Sequence, residues 1–148
     1  MTAEFASWWE WVLELVGKDR GEVETFHDYP TLGPREAKSP EWIARRRLWV
    51  REWLEHARTA PTCLVCDRDW TLSDDLHHVT YLHLGEEHFS ELVPLCQADH
   101  ASVHELFESD ASYLRTGRMN ATSLAIRQLR ERHATERMHL LIAESEGE

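Results

Sequence analysis

The chain has 148 residues, 42% of them apolar, and a formal net charge of −11. That length suits one domain with an accessory helical layer, and the run of roughly 18 apolar residues that a membrane span needs is missing. The acidic balance is the wrong sign for a protein that meets phosphate over most of its surface, so any nucleic-acid contact has to come from local basic patches.

Residues 2–16 read as a helix. Thr2 can cap it, Phe5, Trp8, Trp9, Val12, Leu13 and Val16 recur at helical spacing, and Gly17 supplies a stop. This acidic, Trp-rich start lacks the basic end and small-residue cleavage site of a signal peptide, which predicts a soluble, cytoplasmic protein. Residues 18–38 are broken by Gly21, Pro30, Gly33 and Pro34. Ser39, Pro40 and Glu41 then form a helix start, with a capping hydroxyl, a proline at the first turn and an acid at the positive end of the dipole. That helix should run to about Ala57, with Trp42, Ile43, Trp49, Val50, Trp53 and Leu54 as a core-facing stripe. Between Arg35 and Arg58 there are seven basic residues against four acidic ones, and from Arg115 to Arg132 five Arg against one Glu. Either patch fits a solvated helix face as well as a phosphate-contacting one; Arg45, Arg46, Arg47 and Arg51 are the candidate nucleic-acid contacts.

Residues 63–107 differ in kind, holding all three Cys and six of the ten His. Leu76–Tyr81 and Leu92–Leu95 read as short strands, with Gly85 in the loop between them. Asp99–Phe107 reads as a short helix. Asn120 is a candidate cap for a last helix from Ala121 to about His139, with Leu124, Ile126, Leu129 and Leu140 as its apolar positions, and the acidic tail 144–148 should fray.

An odd cysteine count without a secretion signal argues against disulfides. Cys63 and Cys66 are separated by two residues, a spacing that lets both thiolates reach one tetrahedral Zn²⁺, and Cys96 at a strand-to-helix junction adds a third corner. The fourth corner is Asp99 or His100. A thiol redox role for Cys63 and Cys66 lacks the expected βαβ context. His100 and His104 lie four apart, on one helical face. His77 and His78 are adjacent on a strand and must point to opposite sides. One can therefore ligate a metal while the other stays free as a base. His83 and His88 read as solvated loop residues, and His27, His56, His133 and His139 have no motif support.

The string Cys63-x-x-Cys66, His77-His78-Val79-Thr80-Tyr81-x-x-Leu84-Gly85-x-Glu87, Leu92-Val93-x-Leu95-Cys96-x-x-Asp99-His100-x-x-x-His104 resembles the zinc-containing branch of the HNH endonuclease family. The resemblance covers about 45 residues, under a third of the 148, and is specific only as a combined pattern. It implies an α+β, mostly helical fold: a small ββα-metal, treble-clef-like zinc core (61–110) flanked by an N-terminal helical region (1–60) and a C-terminal helix with an acidic tail (111–148). It implies His78 as general base, with His77, His100 and His104 holding a catalytic divalent metal (Mn²⁺, Ni²⁺, Zn²⁺ or Mg²⁺). Cys63, Cys66, Cys96 and Asp99 would hold structural Zn²⁺. The implied activity is phosphodiester hydrolysis, with DNA as partner. Two departures stand out. Asp99 occupies a position where a Cys is expected, so either Asp99 ligates the structural ion or His100 is drawn to it. Glu91 stands where the pattern carries Asn, which predicts weaker hydrogen bonds ordering the loop behind the base. With the acidic charge, these departures leave a second expectation: the same zinc scaffold serving as a catalytically silent protein-interaction module.

Overall fold

A computed structural model describes residues 8–13 and 39–147. Thr2, Gly17, the irregular stretch 18–38 and the terminal residue 148 lie outside these residues. The architecture is α+β and mostly helical, with one two-stranded antiparallel sheet among the described residues. In chain order the described elements are α1 (residues 8–13), α2 (Pro40–Ala57), β1 (Asp75–His78), β2 (Leu92–Leu95), α3 (Gln97–Ser109) and α4 (Arg118–Glu146). No helix among them is long and apolar enough to cross a membrane.

The boundaries of α2 follow from its ends. The Ser39 hydroxyl accepts the Trp42 N–H at 3.1 Å. At the other end Arg58 turns left-handed (φ 59°) and closes its N–H on Leu54. The tryptophan stripe is core: Trp49 and Trp53 are fully buried. Trp9 of α1 meets Trp53 and Phe89 edge-on, at 5.4 and 4.9 Å. Trp49 packs on Trp70 and donates its indole N–H to the Leu92 carbonyl at 3.1 Å. Edge-to-face contacts of this kind add about 0.5–1.5 kcal/mol per pair to the area buried. They join α1, α2, the cysteine turn and β2 in one core.

The same helix corrects the expected phosphate contacts. Arg46 is buried, and its guanidinium donates to the carbonyls of Leu72 and Asp74 at 2.8 and 2.5 Å. It sits between the rings of Trp42 and Trp70, so it braces the turn before β1 and faces no solvent. Arg45 is held by the Glu87 carbonyl and the Glu52 carboxylate, each at 2.8 Å. Arg47 and Arg51 are exposed.

β1 and β2 pair with Asp75 opposite Leu95, Leu76 opposite Pro94, His77 opposite Val93 and His78 opposite Leu92. β1 stops short of the expected 76–81: Val79 N–H still reaches Glu91 O at 2.9 Å, but the partner chain turns in a 3-10 helix over Phe89–Glu91, so the ladder ends at the His78–Leu92 pair. Cys63–Cys66 form a tight turn closed by Cys63 N–H to Arg68 O and Asp67 N–H to Cys63 O, and Leu64 N–H reaches Pro94 O at 3.1 Å. Asp67 adopts φ 63°, a left-handed conformation that Asp tolerates better than most residues.

Two helix ends differ from expectation. α3 starts at Gln97, two residues early, because Cys96 acts as its cap. α4 starts at Arg118 after Gly117 (φ 95°) and continues to Glu146. Asn120 is therefore inside the helix, where its amide donates to the Thr116 carbonyl, and residues 144–146 are helical. Leu124 and Leu140 are exposed by 45% and 65%; the buried face is Ala121, Thr122, Ala125, Ile126 and Leu129.

Candidate functional site

The Cys63–Cys66 turn, β1, Cys96 at the end of β2 and the first two turns of α3 assemble two groups of ligand-type side chains. In the first, the donor atoms of Cys63, Cys66, Cys96 and Asp99 all lie within 4.8 Å of one another. Asp99 Oδ2 is 3.2 Å from Cys63 Sγ and 3.1 Å from Cys96 Sγ, with the thiols donating. A tetrahedral zinc with ordinary Zn–S and Zn–O lengths separates S from O by roughly 3.5 Å, a few tenths of an ångström more than is seen. Burial pushes the Cys96 thiol up to about 11 and raises the Cys63 thiol further. Burial alone would also raise the Asp99 carboxyl, but hydrogen bonds from Cys96, His133 and Cys63 outweigh it and hold the group below its ordinary value. The result is an anionic acceptor ringed by protonated thiols. A soft divalent cation could replace those protons.

In the second group, His77, His100 and His104 bring one nitrogen each within the same 4.8 Å limit. His100 thus sits with the histidines and Asp99 with the cysteines. The separation follows from helical geometry: successive residues on α3 are turned about 100° apart. His104 Nε2 lies 3.0 Å from His100 Nε2. His100 is oriented from behind, since its Nδ1 is 3.0 Å from Asp75 Oδ2; with that N–H given away, Nε2 presents its lone pair. His77 is fully buried, with Nε2 2.9 Å from the Thr122 hydroxyl and Nδ1 without a hydrogen-bond partner among the described residues. An unpaired imidazole nitrogen in a dry interior is costly, and a cation is one group that would satisfy it. Burial, helped by Arg118, His100 and His104, holds His77 well below the usual imidazole range. His104 is lowered for the same leading reason. Neutral imidazoles are the form that ligates, so these residues fit a transition-metal ion.

His78 points to the other side of β1. Its Nε2 meets Glu87 Oε2 at 2.9 Å, while Nδ1 makes no hydrogen bond among the described residues. Its ring lies between Trp42 (5.4 Å, 19°) and Tyr81 (5.2 Å, 28°). Glu87 is buried and also accepts the Gly85 N–H at 2.8 Å. The bond from His78 holds its carboxyl below the ordinary value despite burial. Arg118 of α4 donates to the His78 carbonyl at 2.7 Å and to the Tyr81 hydroxyl at 3.0 Å.

The loop between the strands corrects the expectation for Glu91. It is buried, and its Oε1 accepts from His83 Nδ1 at 2.8 Å and from the His88 N–H at 3.3 Å. Glu91 thus ties the loop down by its own carboxylate, while His83 and His88 are exposed, as expected, and hydrogen-bonded within the loop. Of the residues without motif support, His56 stacks on Phe89 at 4.1 Å and His133 joins the cysteine group, with Nε2 3.1 Å from Asp99 Oδ1. Asp75 was legible in principle, as it lies two residues before His77 on a strand. Thr122, Arg118 and His133 carry no local signal, because they reach the site from a distant helix. No protein-family model, curated protein or solved structure matches the chain.

Proposed function

We propose that this chain is a metal-dependent phosphodiester hydrolase of the HNH type, built on a zinc-stapled ββα unit and acting on DNA. One observation carries the reading. His77, His100 and His104 converge on one point while the neighbouring His78, braced by Glu87, keeps its second nitrogen free. In this reading Cys63, Cys66, Cys96 and Asp99 hold structural Zn²⁺, which contributes folding energy directly. The metal at the histidines, when bound, supplies Lewis-acid stabilisation of charge on the phosphate. Glu87 accepts a hydrogen bond from the Nε2–H of His78 and so keeps that proton on Nε2, leaving the Nδ1 lone pair to accept a proton from the attacking water. Trp42 and Tyr81 fix the plane of that imidazole. Arg118 stands beside it as a half-buried cation suited to a phosphate oxygen, and exposed Arg47 and Arg51 are the remaining backbone contacts from α2.

The test is nicking of supercoiled plasmid with Mn²⁺, Ni²⁺ or Mg²⁺ by protein that retains about one zinc per chain at the cysteines. Expected is metal-dependent relaxation, abolished by chelator and by His78→Ala. Zinc-loaded protein that cuts with none of these metals overturns the reading. A second reading, a catalytically silent interaction module, is favoured by the net charge of −11 and by the inward commitment of Arg45 and Arg46. It predicts a stable complex with a basic protein and no cutting.

A further inference from the structure

We infer that α4, which lies outside the cysteine–histidine motif, is the outer hydrogen-bond support of both metal-binding groups, with Thr122 positioning His77 and His133 positioning Asp99. The inference rests on the metal-binding reading above and extends it to residues that no motif singles out.

Thr122 and His133 are eleven residues apart, which is three helical turns, so they share a face and stand about 16 Å apart along the axis. Arg118 and Arg130 flank that stripe on its two sides. Arg118 takes the His78 carbonyl. Thr122 meets His77 Nε2 at 2.9 Å. Arg130 donates to Leu64 O at 2.8 Å and clamps both carboxylate oxygens of Asp67, at 3.0 and 3.2 Å, on the cysteine turn. His133 meets Asp99 Oδ1 at 3.1 Å.

The chemistry at each contact is specific. Thr122 is fully buried beside Ala121, Ala125 and Ile126, where a hydroxyl is costly unless it is used. In this arrangement Thr122 accepts the Nε2–H of His77, and Nδ1, which has no hydrogen-bond partner among the described residues, keeps the lone pair that a cation would take. His133 holds the outer oxygen of Asp99, so that Oδ2 faces the thiols. Asp99 needs such a hold more than a cysteine would, because a carboxylate can rotate and change which oxygen it offers. Outer partners of metal ligands fix ring orientation and carboxylate rotation, and losing one costs about 10–100-fold in metal affinity.

The test uses the full chain and Co²⁺, titrated into metal-free, reduced protein. The thiolate-to-cobalt charge-transfer band reports the cysteine group, and the weaker visible bands of nitrogen-ligated cobalt report the histidine group. Thr122→Val, which keeps the shape of the side chain, is expected to weaken cobalt at the histidines about 10–100-fold and leave the cysteine group unchanged. Thr122→Ser restores the parent affinity. His133→Phe, at a partly exposed position where folding is tolerant, is expected to do the reverse. Equal weakening of both groups in either variant, or no change at the variant's own group, overturns the inference, as does a parent protein that binds no cobalt through its histidines. Because the readout is affinity, a chain that binds metal at both groups but cuts no DNA overturns the nuclease reading alone.

Discussion

Glu87→Gln separates the orientation of His78 from the integrity of the fold. Glu87 uses both carboxylate oxygens: Oε1 holds the Gly85 N–H at 2.8 Å and Oε2 holds His78 Nε2 at 2.9 Å. Glutamine keeps the first contact with its carbonyl oxygen and turns an N–H₂ towards the second. His78 Nε2 must then become an acceptor, so the imidazole proton moves to Nδ1, the atom that receives the proton of water in the proposed hydrolysis. A positioned general base contributes about 10²–10⁴-fold, so the cleavage rate at saturating metal should fall at least about 100-fold. The lost charge-assisted bond costs about 1.5–3 kcal/mol. At about 2–4 °C per kcal/mol for a chain of this size, the melting midpoint drops by about 3–12 °C. Nicking rates, measured beside a thermal melt followed by circular dichroism, read the two effects separately. A variant that melts lower but cuts within about twofold of the parent would refute the reasoning, since His78 could not then be taking a proton through Nδ1.

Acid stability should carry the mark of the same residue. The Glu87 carboxyl is held below its ordinary 4.5, so its stabilising share is fully present above that value and drains away as pH falls through the lower folded value. Glu87→Gln should flatten this limb of a urea-midpoint-against-pH curve. An unchanged limb would mean that the His78 contact contributes nothing to folding. The inward arginine and its exposed neighbour should behave oppositely. Arg46→Ala orphans the carbonyls of Leu72 and Asp74 and should destabilise by about 2–5 kcal/mol. Arg47→Ala should stay within about 0.5 kcal/mol while lowering the salt slope of DNA binding by about one. Urea unfolding and a salt titration check the pair. Trp49→Ala should cost about 3–5 kcal/mol, because the indole is fully buried and its N–H satisfies Leu92 O; a loss below about 1 kcal/mol would show that the aromatic core repacks around the gap.

Local features carried much of this architecture into the sequence. Ser39-Pro40 fixes the start of α2 because capping and proline act within one turn, and Leu92–Leu95 is bounded by its own apolar run. The split between the two groups of ligand-type side chains was half legible. Spacing alone leaves Asp99 and His100 as rivals for the cysteines, and only the rotation of α3, set by its cap at Cys96, sends them to different groups. Arg46 misled because a cation looks the same in sequence whether it meets water or two buried carbonyls. Asn120 misled because a good capping residue is no cap where a glycine three positions earlier has already started the helix. Thr122, Arg118 and His133 were illegible: their meaning depends on how α4 lies across the hairpin, a long-range fact with no neighbour in sequence to announce it.

The adjacency of Asp99 and His100 also sets which chain lengths the protein can tolerate. An extra residue between Cys96 and His104 would swing everything after it by about 100° and advance it by 1.5 Å. That would carry at least one histidine off its group while Cys96 stayed in place. The stretch Tyr81–Glu86 is exposed throughout, and additional residues there would lengthen the loop and leave both ends of the hairpin in register. Insertions and deletions in relatives of this chain should therefore collect in the loop after Thr80 and be absent between Cys96 and His104.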